Sequence, residues 1–203
     1  MSMVDTISQK SLTTTTSLTA GRGRGKSATL GLIIASSIIY GYSNIFITAP
    51  SPENLKTLFE FIIKGLKVLN YKEHGDYEVF QSTNPDFKEC VVKINVYRDH
   101  RQSIQYVQPQ DFNNLLQPEI LVIDEAAAIP LPIVKHMMGN YLVFMSSTIN
   151  GYEGTGRSLS LKLISQLRDQ NKLHFGEHTT KSGMKAIRDL KEIQMDEPIR
   201  YGV

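Results

Sequence analysis

Residues Ala20 to Ser27 read Ala-Gly-Arg-Gly-Arg-Gly-Lys-Ser, small and cationic side chains closed by an amine and a hydroxyl. Glycines let backbone N–H groups converge on an anion, and a helix opening at Lys26 turns its first N–H groups and its positive dipole end toward the same point. In the phosphate-loop pattern G-x-x-x-x-G-K-[ST], the lysine reaches the β- and γ-phosphates of a nucleotide and the hydroxyl ligates Mg2+. Ala20 stands where that pattern has its first glycine, a position that a small side chain can still fill. On this reading Ala20, Gly21, Arg22, Gly23, Arg24, Gly25, Lys26, Ser27 and Ala28 hold ATP. Lys26 is the catalytic cation, Ser27 joins the Mg2+ shell, and Arg22 and Arg24 add positive charge beside the phosphates. The competing reading is an arginine–glycine tract gripping RNA. Only two arginines interleave here, however, and an apolar segment of helical period begins at once.

A second pair of chemically capable residues follows far downstream. Asp124 and Glu125 end the apolar run Ile-Leu-Val-Ile from Ile120. A strand that delivers two carboxylates to one sheet edge can supply Mg2+ with one and the attacking water with the next. Asp124 is read as the metal carboxylate and Glu125 as the residue that polarises water. By itself, such a pair is equally a strand end before a helix cap; the loop at Lys26 tips the balance. A third element, Ser146-Ser147-Thr148, closes another apolar run, and a glycine-rich stretch with Glu153 and Arg157 follows. A hydroxyl-bearing strand end beside the carboxylate strand can sense the γ-phosphate, which adds Thr148 and Arg157 to the nucleotide contacts.

These residues need a scaffold that brings distant segments to one edge. Short β-branched runs at 13–20, 43–49, 90–97, 119–126 and 141–147 read as strands, and runs such as Ile120 to Asp124 are apolar on both faces as in a covered parallel sheet. Segments 25–41, 51–70 and 156–170 carry helical spacing, the second with Ser51 as cap and Pro52 at its first position. Strand–helix alternation predicts a doubly wound, mainly parallel α/β domain of the P-loop NTPase type. Residues 71–89 read as an irregular excursion. The expected division is an ATPase domain over 1–170, a polar linker over 171–194, and the start of a curtailed downstream segment over 195–203.

Composition narrows the classes. With 203 residues, 41% hydrophobic, the chain can bury a sizeable core. A net charge of +2 points to no whole-molecule affinity for nucleic acid. A single cysteine, Cys90, excludes an intramolecular disulfide framework and fits a reducing compartment. No apolar run is long enough to span a bilayer, so no membrane partner is expected. The stretch His174 to His178 matches the letters H-x-x-E-H of zinc peptidases, but that chemistry requires a helix and Gly176 interrupts a polar segment. The stretch from Tyr97 to Tyr106, with Arg98, His100 and Arg101, reads as an RNA contact or, equally, as a solvated strand edge or an interdomain surface.

The strings LTAGRGRGKSATLG, YSNIFITAPSPENLKTLFEFIIKG, STNPDF, DHRQSIQY, LVIDEAAAIPLPIVK and YLVFMSSTINGYEGTGRSLSLKL together resemble the helicase-type ATPase module of the eukaryotic RNA cytidine acetyltransferases. The resemblance implies a RecA-like helicase core that uses ATP and Mg2+. It implies N4-acetylcytidine formation in ribosomal RNA precursor and in tRNA, with acetyl-CoA used by the full-length enzyme. It further implies an adaptor protein for tRNA and a nucleolar location. The closing Pro-Ile-Arg-Tyr is similar to a family segment whose arginine approaches the nucleotide, which adds Arg200. Asn140 stands where the family has proline. No position satisfies the acetyl-CoA pattern [QR]-x-x-G-x-[GA], so acetyl transfer is not expected from these residues alone. A nucleotide-binding scaffold without turnover, or an RNA-contact module, is the alternative. A small-molecule kinase would need a lid of clustered arginines, which the sequence lacks.

Overall fold

The apolar runs fold as strands of one sheet. In a computed structural model the described residues are 3–8, 14–87, 89–112, 118–148, 165 and 189–195. Helix α1 (Met3–Ser8) precedes strand β1 (Thr14–Ala20), helix α2 (Lys26–Ile39) and strand β2 (Asn44–Thr48). A 3₁₀ turn (Pro52–Leu55) leads into helix α3 (Lys56–Val68). Strands β3 (Tyr77–Gln81), β4 (Val91–Val96), β5 (Gln102–Tyr106) and β6 (Ile120–Ile123) follow, then helix α4 (Leu131–His136), strand β7 (Leu142–Thr148) and strand β8 (Asp189–Met195).

The sheet has the order β3-β4-β5-β2-β6-β7-β1-β8. Pairings from β5 across to β8 are parallel, and β3 and β4 extend the sheet antiparallel at one end. Every residue of β6 is fully buried, as expected of a strand covered on both faces. Ile120 and Val122 join Leu142 and Phe144 in a core layer with α1, α2 and α3. Leu121 and Ile123 join Val143 and Met145 in the opposite layer with Val134, Met137 and Tyr141. The period of two along each strand thus feeds two cores.

Helices α2 and α3 pack unusually close where Gly31 meets α3. A Cβ added at Gly31 would lie 2.6 Å from the Leu58 carbonyl oxygen and 2.8 Å from the Phe61 Cβ. Backbone cannot yield as a flexible side chain does. Gly31→Ala is therefore expected to destabilise by up to about 2 kcal/mol, because overpacking of about 1–3 kcal/mol is offset in part by a helix-propensity gain of about 1 kcal/mol. A urea melt checks this; a raised midpoint contradicts the packing.

The structure corrects the reading of three segments. The linker expected over 171–194 gives way at Asp189, where β8 begins and pairs along the whole of β1. Its charged residues suit a half-exposed strand at the sheet margin, and that polarity hides it from a search for apolar runs. Within 71–89, Tyr77 and Val79 turn inward on β3 while Glu78 faces out, so the excursion contains a strand. The stretch 97–106 is not a solvated edge throughout. Arg98 to Arg101 are exposed, but Gln102 to Tyr106 sit between β4 and β2. The buried Gln102 amide donates to the Ile38 and Tyr42 carbonyls at 2.8 and 2.9 Å. Ser51 precedes the 3₁₀ turn without a side-chain capping bond. The helix expected over 156–170 lies outside the described residues apart from Ser165, as do His174 to His178 and 196–203. Among the described residues no helix is long and apolar enough to cross a membrane.

Candidate functional site

Parallel pairing of β1, β7 and β6 brings their C-terminal ends to one edge, where open α/β sheets bind ligands. β7 separates the other two, and its last residue, Thr148, is in register with Ala20 at the end of β1. The residues singled out at 20–28, at 124–125 and at 148 therefore meet, although they are far apart in sequence.

Ala20 is a buried strand residue paired on both sides, and it is not among the positive-φ positions. Glycine is not required there, which accounts for the alanine. The turn itself does require glycine: Gly23 and Gly25 have φ of 75° and 82°, left-handed values that disfavour other residues. Gly25 caps α2 through its backbone, with its carbonyl accepting from the Thr29 N–H at 2.9 Å and the Thr29 hydroxyl at 3.1 Å. Helix geometry leaves the first N–H groups of α2 without intrahelical acceptors, and they face the turn. Arg22 is exposed and Arg24 half-buried on that turn.

Lys26 is buried, and its ammonium donates to the carbonyls of Ala20 at 3.3 Å and Gly21 at 3.1 Å. Burial pushes its pKa down, opposed by the nearby charges of Glu125 and Asp124. Ser27 donates to the Asp124 Oδ2 at 2.8 Å, which joins the two halves of the predicted metal shell. Asp124 is 1% exposed. Burial pushes its carboxyl pKa up; hydrogen bonds from Ser146 and Ser27 lower it, the charge of Glu125 raises it and the Glu125 N–H lowers it. Glu125 takes a left-handed backbone conformation, φ 52° and ψ 49°, as β6 gives way to a 3₁₀ turn at Ala126–Ala128. Thr148 donates its N–H to the Glu125 Oε2 at 3.2 Å and its hydroxyl to Oε1.

Ser146, read from sequence only as part of the hydroxyl-bearing strand end, bridges both carboxylate residues. Its hydroxyl donates to the Asp124 Oδ1 and accepts from the Glu125 N–H at 3.1 Å. The signal was available, since a strand places i and i+2 on one face and Ser146 precedes Thr148 by two. Arg157 and Arg200 lie outside the described residues.

The residues present are hard oxygen donors of the kind Mg2+ takes, a hydroxyl and a carboxylate already in contact. Among the described residues no cluster of three or more His, Cys, Asp or Glu could hold a metal.

The sheet order and the glycine turn opening α2 define a P-loop NTPase-like fold with its carboxylate strand one place removed. Similar architecture is found in the large terminase of a thermophilic bacteriophage, at 12% identity and a TM-score of 0.55, covering 93% of this chain and 41% of that one. The same terminase in complex with ADP aligns at 10% identity and the same TM-score, with the same coverage. The family model for the RNA cytidine acetyltransferase NAT10/TcmA helicase domain matches residues 17–203. RNA cytidine acetyltransferase of Schizosaccharomyces pombe is 62% identical over 206 residues, that of Saccharomyces cerevisiae 59% over 214 and that of Homo sapiens 56% over 207. These alignments cover 99–100% of this chain and 20% of each relative. The chain belongs to the RNA cytidine acetyltransferase family and comprises its helicase domain.

Proposed function

We propose that this chain binds ATP with Mg2+ at the β1–α2 turn and hydrolyses it, as the motor module of an RNA cytidine acetyltransferase. The observation that carries this reading is the 2.8 Å contact of Ser27 with Asp124, which unites the predicted phosphate-loop hydroxyl with the predicted metal carboxylate. The turn and the first N–H groups of α2 would receive the phosphates, with the Lys26 ammonium transferring from the Ala20 and Gly21 carbonyls to phosphate oxygens. Ser27 and Asp124 would hold Mg2+, which supplies charge neutralisation on the phosphate oxygens. Glu125 would orient the attacking water and accept its proton.

For the whole protein, family membership supports acetylation of cytidine in RNA, and N4 as the position and ribosomal RNA precursor and tRNA as the substrates are part of the proposal. Acetyl-CoA would serve a part of the protein beyond this chain. RNA, an adaptor protein for tRNA and a nucleolar location belong to the same proposal.

Glu125→Gln tests the division of labour. ATP affinity should stay within about threefold of wild type while turnover falls by about 100-fold or more, the range for a lost general base. Stopped turnover with weakened binding contradicts the assigned role. A wild-type chain that binds ATP without any turnover identifies a scaffold instead.

A further inference from the structure

We propose that Thr148 is a positioning residue for Glu125 and acts on ATP through that carboxylate, not by touching a phosphate. The inference rests on the reading of the site as an ATPase and assigns Thr148 a job different from γ-phosphate sensing.

Both donors of Thr148 are committed to one side chain. Its N–H reaches the Glu125 Oε2 at 3.2 Å and its hydroxyl reaches Oε1. A carboxylate has about four lone-pair sites, so this clamp occupies one on each oxygen and leaves another on each for water. The clamp matters because Glu125 leaves the strand in a left-handed conformation, which is costly for a residue with a Cβ and is kept where surrounding bonds enforce it. Ser146 supplies one such bond by accepting the Glu125 N–H at 3.1 Å. Thr148 supplies the other end, holding the carboxyl group. Ser146 and Thr148 alternate on β7 and so share a strand face. The end of β7 thus fixes Glu125 twice, at its backbone and at its tip. Orienting groups of this kind matter to the rate, because a base must lie within hydrogen-bond reach of the water it activates.

Thr148→Val keeps the shape and the N–H but removes the hydroxyl. In the full 203-residue chain, kcat for ATP should fall about tenfold with KM within about twofold, as for other orienting partners. Thr148→Ser should restore most of the rate. In a Glu125→Gln background, Thr148→Val should change turnover by less than about twofold, because residues acting as a unit are not additive. An unchanged kcat, a raised KM with normal kcat, or an undiminished effect in the Glu125→Gln background overturns the proposal. The raised KM would indicate direct phosphate contact. Wild type showing no turnover above Lys26→Ala sinks the ATPase reading instead. The geometry is then judged without activity: in the nucleotide-free chain, Glu125→Ala should shift the Thr148 amide proton upfield, and an unmoved resonance overturns the clamp.

Discussion

Asn in place of Asp124 is expected to give a more stable protein that no longer turns over ATP. Asp124 is nearly fully buried and its two hydrogen-bond partners in side chains are neutral hydroxyls, those of Ser27 and Ser146. Burial pushes its pKa above the ordinary carboxylate value, because the charged form loses more hydration than these bonds return. A carboxylate whose folded pKa is raised makes folding less favourable wherever it is ionised in both states. Asparagine retains an oxygen for Ser146 and an amide for the Ser27 oxygen while removing the charge. The expected result is a raised melting temperature, net of the support that the Asp124 charge gives the buried Lys26 ammonium. Turnover should fall by about 100-fold or more, because the proposed metal carboxylate is gone. The pH dependence gives the sign. The difference between variant and wild type is complete above the raised pKa of Asp124. It shrinks as pH falls through the raised pKa of Asp124, since the folded wild type takes up a proton before the unfolded chain does. Below the unfolded value of 3.8 it is gone. Thermal melts of both proteins from pH 7 to 3.5 check this; a variant less stable than wild type at neutral pH contradicts it.

Lys26→Ala should remove turnover almost entirely, by about 100- to 1,000-fold, the scale for losing a preorganised donor to transition-state charge. Lys26 stands apart from a surface lysine in two respects. Its ammonium is buried at the turn, held by the Ala20 and Gly21 carbonyls. Its pKa is lowered by burial although Glu125 and Asp124 pull the other way. Phosphate would restore a strong counter-charge to a cation that the fold keeps partly unsatisfied, so affinity for ATP should also fall about 10- to 100-fold in the variant. Steady-state turnover and equilibrium titration of the same preparations check both numbers. Retention of wild-type turnover would remove the turn from the mechanism.

The candidate site was readable from sequence because the residues proposed to carry its chemistry stand in contiguous strings: Gly25-Lys26-Ser27 after a strand and Asp124-Glu125 at the end of another. The structure brings these together as expected, and the two-sided burial of Ile120 to Ile123 matches their unbroken apolarity. What stayed hidden obeys different physics. β8 carries charges because it lies at the sheet margin, so Leu190, Ile193 and Met195 did not form an apolar run, yet Met195 ends opposite Ala20. The bridging role of Ser146 lies in its pairing with Asp124 and Glu125 across the sheet, and register between β6 and β7 is a tertiary fact. The antiparallel placement of β3 and β4 likewise depends on which edge the hairpin joins.

The central claim is that a nucleotide sits on the turn between β1 and α2. Amide hydrogen exchange of the wild-type chain, with and without ATP and Mg2+, locates the ligand directly. The account predicts slowed exchange across Gly21 to Thr29 and at Glu125 and Thr148, with no change in the β3–β4 pair at the far end of the sheet. Saturating ATP that leaves Gly21 to Thr29 unprotected, or that protects some other surface instead, would contradict it.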